Sequence, residues 1–373
     1  MKICIFFHRF DGGGAERTTI TLANELHKRG YQLTVAVRYA KGPSRRLLDP
    51  DIPVYDMKLP ERGKLVKNIR NIRSLVYLMN KGDFDFIMAV MSEMAEVAAA
   101  AYSLSAKRTP LICVLHNTIS VEKTSFQAVR HRLFRYFDRQ YSRVVAVSEA
   151  VREDYIHSCC TDPRKVVTIY NPVVNTKLFE MAEKQPDHPW LNGRRDFKVL
   201  LLAGRLTAQK NHALMFRTLK KLRDEGDYRL ILLGEGELRE ELEQTADELG
   251  ISRWIDFAGY TDNPYSFMRA CDCLVLSSRY EGLPTVLIEA MACGTRIVSV
   301  DCPSGPREIL DHGKYGILVV MDDEEDLKNG ILHALHTEPD RKALRERSME
   351  FSVEKSSEKY EQVFRETLMS TNS

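Results

Sequence analysis

Two glutamates, Glu281 and Glu289, lie within the segment EGLPTVLIEAMACG at 281–294. Gly282 and Pro284 mark a turn from strand to helix, so the backbone N–H groups around Leu283, Thr285 and Val286 should lack intrahelical partners and suit a phosphate. Glu281, before the helix, can reach the sugar end of a ligand. Glu289, about a turn further in, can accept hydrogen bonds from a vicinal diol such as a ribose. The plainer alternative is a capped surface helix with two solvated glutamates. A second stretch, AGRLTAQKN at 203–211, supplies Arg205 and Lys210. A planar guanidinium fork and a point-charge ammonium suit a diphosphate and would neutralise one that departs. Read alone, they could equally be surface cations before an exposed helix. In GEGE at 234–237, Gly234 allows close approach of backbone to a nucleotide, with Glu235 beside it.

These residues need elements to hold them. The first 40 residues read as a strand (3–8), a glycine turn, an amphipathic helix (15–29) and a second strand, which is a βαβ unit. Strand-like runs FIMAV, PLICVL, RVVAVS and VVTIYN follow, separated by helical patterns. A polar, proline-containing stretch at 183–196 interrupts the periodicity and is the expected hinge. A second alternating series then begins at KVLLLAG. The expected fold is α/β, with two doubly wound, Rossmann-like domains facing across a cleft. The expected division is 1–185, 186–350 and a C-terminal helical segment, 351–373, with an uninterrupted helix running from about 340 to 368. Doubly wound sheets bind ligands beyond the carboxyl ends of their strands, so the loops above should line the cleft.

Composition excludes several classes. The 373 residues are 44% hydrophobic and 28% charged, as in an ordinary folded chain. Apolar runs are strand-length, and the amino-terminal stretch has neither an h-region nor a cleavage site, so a cytoplasmic protein is expected. The eight cysteines show no CxxC pair and read as reduced, buried thiols. "DFDF" at 83–86 fits a solvated turn before a strand, and no metal site is apparent.

The motifs GGGAER, HN after a strand, VSEAV, NPV, GRLTAQKN, GEGE and EGLPTVLIEAMACG occur in the order seen in retaining glycosyltransferases of family 4, and over residues 1–365 the chain resembles that family. The resemblance implies the GT-B fold. It also implies that Arg205 and Lys210 grip the donor diphosphate, that Glu281 lies by the donor sugar and that Glu289 binds the ribose hydroxyls. Gly13 and Gly14 match a first-domain loop passing close to donor phosphates and acceptor. His116 matches a histidine beside the donor sugar, and Ser148 and Asn171 match loop residues of the cleft. The implied mechanism is front-face substitution with retention, a donor phosphate oxygen taking the acceptor's proton, with no cofactor and no metal. The implied C-terminal helix returns to the first domain.

Net charge is nearly zero overall but unevenly divided. Residues 1–185 carry 29 basic and 19 acidic side chains, and residues 186–373 carry 25 and 33. Segment 122–143 holds six Lys or Arg against two acids, with Val129, Leu133, Phe137 and Tyr141 recurring at i+4; residues 58–81 add seven basic side chains against Glu61 alone. Such a basic amphipathic helix would be attracted to an anionic leaflet, although its apolar stripe could instead pack into the domain. No nucleic-acid recognition motif accompanies it. The expected reaction moves a hexose or N-acetylhexosamine, most simply from a UDP-sugar, to a lipid-linked or lipopolysaccharide glycan at the inner face of the cell membrane. The alternatives are a nucleotide-sugar epimerase of the same fold and a non-catalytic membrane-binding module. A dehydrogenase is disfavoured, because the first turn lacks G-x-G-x-x-G.

Overall fold

The computed structural model describes residues 1–58, 64–120 and 127–371, with side-chain surroundings for all of these but 64–68, 127–131 and 371. The chain forms two compact units, Met1–Pro172 with Val353–Ser373, and Val173–Ser352.

The first unit runs β1 (Lys2–Arg9), α1 (Gly14–Lys28), β2 (Gln32–Tyr39), β3 (Val54–Asp56), α2 (Lys64–Lys81), β4 (Phe86–Val90), α3 (Ser92–Leu104), β5 (Leu111–Leu115), α4 (Gln127–Asp138), β6 (Arg143–Ala146), α5 (Glu149–Cys159) and β7 (Val166–Thr168). Its strands are parallel, in the order β3-β2-β1-β4-β5-β6-β7. Runs such as ICIFF and FIMAV lack alternation because both faces of a parallel sheet are covered by helices. The three-residue β3 is too short to show a period and was not expected from the sequence.

The second unit begins with α6 (Thr176–Ala182) and continues β8 (Lys198–Ala203), α7 (His212–Leu222), β9 (Tyr228–Leu233), α8 (Arg239–Glu248), β10 (Ile255–Gly259), α9 (Pro264–Ala270), β11 (Cys273–Leu276), α10 (Thr285–Cys293), β12 (Ile297–Val300), α11 (Pro306–Ile309), β13 (Ile317–Val319), α12 (Glu324–His336) and α13 (Arg341–Ser348). Its parallel order is β10-β9-β8-β11-β12-β13. Both units are Rossmann-like α/β sheets.

Three expectations about organisation change. The chain leaves the first unit between Pro172 and Val173, not at 185/186, because α6 packs on α9 and α10. The stretch 183–196 is not a free hinge but is tied to the second unit. The His188 imidazole sits 2.6 Å from Asp256, and Arg195 donates to Asp272 at 2.9 Å and to the Ala270 carbonyl at 2.8 Å. The C-terminal segment is not one helix. α13 is followed by a 3-10 turn (Met349–Phe351), and Ser352 is extended before α14 (Val353–Thr371). The break occurs where the Phe351 carbonyl accepts the Val173 and Val174 N–H groups, a use of the carbonyl that a continuing helix would not allow. α14 then lies against α1, with Tyr360, Val363 and Phe364 buried in the first unit's core beside Ile3, Ile5 and Phe86.

Candidate functional site

In each sheet the strand order reverses beside the first strand, between β1 and β4 and between β8 and β11. The loops leaving these neighbours diverge and open a crevice at their carboxyl ends. In the second unit that crevice receives both motif loops, 204–211 after β8 and 277–284 after β11.

Lys210 and Glu281 meet there, Nζ to Oε1 at 2.6 Å, with side chains 17% and 8% exposed. Sequence reading assigned the two separately, to diphosphate and to sugar; the fold makes them one buried ion pair. Backbone contacts lock the loops together. Ser277 Oγ donates to the Lys210 carbonyl at 2.8 Å, Gln209 Nε2 to the Tyr280 carbonyl at 2.8 Å, and the Arg279 N–H to the Gln209 carbonyl at 2.9 Å. Ser304, in the left-handed region at φ 58°, donates its hydroxyl to the Glu281 carbonyl. It was missed in the sequence, where the only signal was the turn-forming SGP at 304–306. Cys302, also beside this pair, has its thiol pushed up to about 12, chiefly by burial and then by the Glu281 charge, so it stays protonated. Arg205 is exposed at the mouth of the same loop.

Gly282, Leu283 and Pro284 are buried, and Pro284 caps α10 without a side-chain hydrogen bond, so the N–H groups of half-buried Thr285 and Val286 begin the helix without intrahelical acceptors. A helix start of this kind is positive and accepts anions. Glu289 lies one turn inside α10 and is 9% exposed, which removes the solvated-helix alternative for it. Gly234 is required by sterics. At φ 133°, any Cβ would come 1.9 Å from the Gly204 carbonyl oxygen, so the loops after β8 and β9 touch backbone to backbone. Glu235, by contrast, points its carboxylate at Arg239 Nη1, 3.1 Å away, in a local ion pair.

The remaining candidates belong to the first unit. Gly13 caps α1 in an extended conformation without a side-chain bond, and a Cβ there would meet Glu16 Oε2 at 2.5 Å; Gly14 starts the helix. His116 follows β5, and burial pushes its imidazole down to about 4, so at neutral pH it is uncharged and both donates and accepts. Ser148 is the N-cap of α5, accepting from the Val151 N–H at 3.2 Å, and Asn171 is buried. Asp83 and Asp85 are held by Lys2, through its side chain at 3.1 Å and its backbone N–H at 2.8 Å. Among the described residues, the group that could hold a metal ion is His27, Asp49 and Asp51, at the end of α1 and before β3, where the strands begin.

The basic segment at 122–143 is partly outside the described residues, which exclude 122–126 and the side chain of Val129. In the rest, the expected stripe is corrected. α4 ends at Asp138, the buried side chain is Phe134, and Leu133 and Tyr136 are 43% and 61% exposed. Tyr141 is buried from the following turn. Phe134 meets Tyr155 of α5 edge-on, and this contact sets which face of α4 turns inward. Exposed Arg132, Arg135 and Arg139 therefore share the outer face with Leu133 and Tyr136. No helix among the described residues is long and apolar enough to cross a membrane.

Residues 12–176 match the family described as Glycosyltransferase Family 4, and residues 184–351 match glycosyl transferases group 1. The chain is 26% identical, over 93% of each chain, to an N-acetylgalactosamine-N,N'-diacetylbacillosaminyl-diphospho-undecaprenol 4-alpha-N-acetylgalactosaminyltransferase of Campylobacter jejuni. It is likewise 26% identical, over 93% of each, to the lipopolysaccharide core biosynthesis glycosyltransferase LpsE of Rhizobium meliloti. Among solved structures, Anabaena HepE in complex with UDP and glucose superimposes with a TM-score of 0.84 at 22% identity, covering 98% of this chain and 100% of that one.

Proposed function

Because this chain belongs to the family 4 glycosyltransferases and has their GT-B fold, we propose that it moves a hexose or N-acetylhexosamine, with retention, from a UDP-sugar to a hydroxyl of a lipid-linked or lipopolysaccharide glycan. The observation that carries this reading is the buried Lys210–Glu281 pair beside the uncapped start of α10, at the switch point of the second sheet. A diphosphate placed at that helix start would meet the α10 N–H groups, Arg205 and the remaining protons of Lys210. Glu281, fixed by Lys210, would face the sugar, and Glu289 the ribose.

In the reaction the bond from the anomeric carbon to the diphosphate oxygen breaks, and a bond to the acceptor oxygen forms on the same face. The acceptor's proton passes to the departing phosphate. No protein base is then needed. The side chains act by position and by stabilising the charge that accumulates on the leaving group. Neutral His116, in the first unit, is suited by its chemistry to hydrogen-bond a sugar hydroxyl.

UDP as the nucleotide is supported by the UDP-bound HepE structure, and a lipid-linked acceptor by the Campylobacter relative's polyprenyl-diphosphate substrate. Membrane proximity at the inner leaflet is supported by the exposed Arg132 and Arg135 of α4 and Arg139 just after it, with exposed Leu133 and Tyr136.

The test is release of nucleoside diphosphate from UDP-, GDP- and ADP-sugars, with and without membranes containing polyprenyl-linked glycans. Release that requires one UDP-sugar and the membranes is the expected result. Isomerised donor without release would replace the transferase by an epimerase, and release from a GDP- or ADP-sugar alone would correct the donor.

A further inference from the structure

The crevice of the first unit, between the loops leaving β1 and β4, holds a polar cluster that none of the family motifs includes. Arg38, at the end of β2, is 3% exposed. All its nitrogens are satisfied. Nη1 donates to Glu93 Oε1 at 2.7 Å, and Nη2 and Nε donate to the amide oxygen of fully buried Asn71 at 2.9 and 2.6 Å. Glu93, in the first turn of α3, nonetheless keeps 62% of its side chain exposed. The turn that delivers it is strained: Met91, between β4 and α3, has φ 77°. His8, at the end of β1, faces this group and packs edge-on against Tyr39 at 6.2 Å.

Burying a guanidinium is costly, and an ion pair with a solvent-facing carboxylate returns little. What the arrangement secures is orientation: one oxygen of Glu93 is fixed and the carboxylate is presented at the switch point of the sheet. The local charge selects the ligand class. Arg38 is enclosed and neutralised by Glu93, and Arg9 is paired with Asp11. Burial and the Arg38 charge lower the His8 pKa, leaving an uncharged ring that both donates and accepts. Among the described residues of this cluster, both arginines are thus already paired with carboxylates. A carboxylate, a neutral imidazole, an aromatic edge and the Gly12–Gly14 loop are suited to sugar hydroxyls.

We infer that Glu93, oriented by Arg38 and assisted by His8, is a saccharide subsite that holds the accepting sugar. The inference rests on the transferase reading and adds to it the residues that recognise the acceptor. Glu93 and His8 are the contacting groups, and Arg38 is a positioning residue.

The experiment is saturation-transfer NMR on the full chain with saturating UDP, so that the donor subsite is occupied, using the methyl α-glycosides of glucose, galactose, N-acetylglucosamine and N-acetylgalactosamine as probes. The wild type should contact at least one glycoside. Glu93→Gln, which keeps an oxygen for Arg38 but loses the charge, should weaken that contact about tenfold, as expected for loss of one charge-assisted hydrogen bond. Arg38→Lys should weaken it in the same direction. UDP affinity should not change in either variant, a split that a merely structural role of Arg38 would not produce. If Arg38→Lys melts early, Glu93→Gln still decides. Absence of any glycoside contact in the wild type, or undiminished contact in Glu93→Gln, overturns the subsite. A wild type that binds glycoside through Glu93 but binds none of UDP, GDP and ADP would instead defeat the transferase reading alone.

Discussion

Lys210 and Glu281 show how much a single contact can change the meaning of two residues. Each has a recognisable motif around it, but the pair exists only because residues 71 apart in sequence approach to 2.6 Å. Removing one partner should therefore act on stability and on catalysis separately. Lys210→Met leaves a buried carboxylate unpaired and should cost about 3–5 kcal/mol, seen as a lower melting temperature. The double variant Lys210→Met/Glu281→Gln should recover most of that stability, yet remain slower than the wild type in nucleoside diphosphate release by about 10²-fold or more. Recovery of turnover along with stability would show that the pair serves only the fold. Residue types and motif spacing placed Arg205, Lys210, Glu281 and Glu289 in loops at the strand ends. They gave no sign of local contacts such as that of Glu235 with Arg239, or of Ser148 capping α5.

Among the elements, α14 has the largest effect on a unit to which it is not adjacent in sequence. Its Phe364 is fully buried, with its ring centroid 5.1 Å from that of Phe86 of β4 and 6.0 Å from that of Tyr31. Phe364→Ala should destabilise the first unit by about 3–5 kcal/mol through lost transfer energy and a cavity. Hydrogen exchange should accelerate in β1, β4 and α1 while β8 and β11 keep their protection. Equal acceleration in both sheets would mean that the units unfold together. The alternation of strand and helix was legible because apolar runs and Gly/Pro punctuation are local signals. The break at Phe351 was not, since charged periodicity continues across it and only the Val173 and Val174 N–H groups, far along the chain, explain it. The stripe on α4 was misread for a related reason: several apolar residues could have faced inward, and packing of Phe134 on Tyr155 chose the face.

For the molecule as a whole, the division of charge is the property that no single element shows: residues 1–185 are basic and residues 186–373 acidic. An anionic surface should attract the first half and repel the second. Sedimentation with phosphatidylglycerol vesicles should be strong at low salt, weaken as salt is raised and fall further in Arg135→Glu/Arg139→Glu, at about 1 kcal/mol per cation removed. Neutral phosphatidylcholine vesicles should bind little. Unchanged binding by the variant would leave α4 an ordinary solvated face. The sequence by itself determined the two Rossmann-like series, their strand ends and the loops that carry Arg205, Lys210, Glu281 and Glu289, because hydrophobic period and turn chemistry are written within a few residues. The tertiary structure alone decided that the boundary falls after Pro172, that α14 joins the first core, that Lys210 pairs with Glu281 and that Arg38 steadies Glu93. These depend on strand order, which sets β8 beside β11 and β1 between β2 and β4, and the periodicity of one segment carries no record of its neighbour across the sheet.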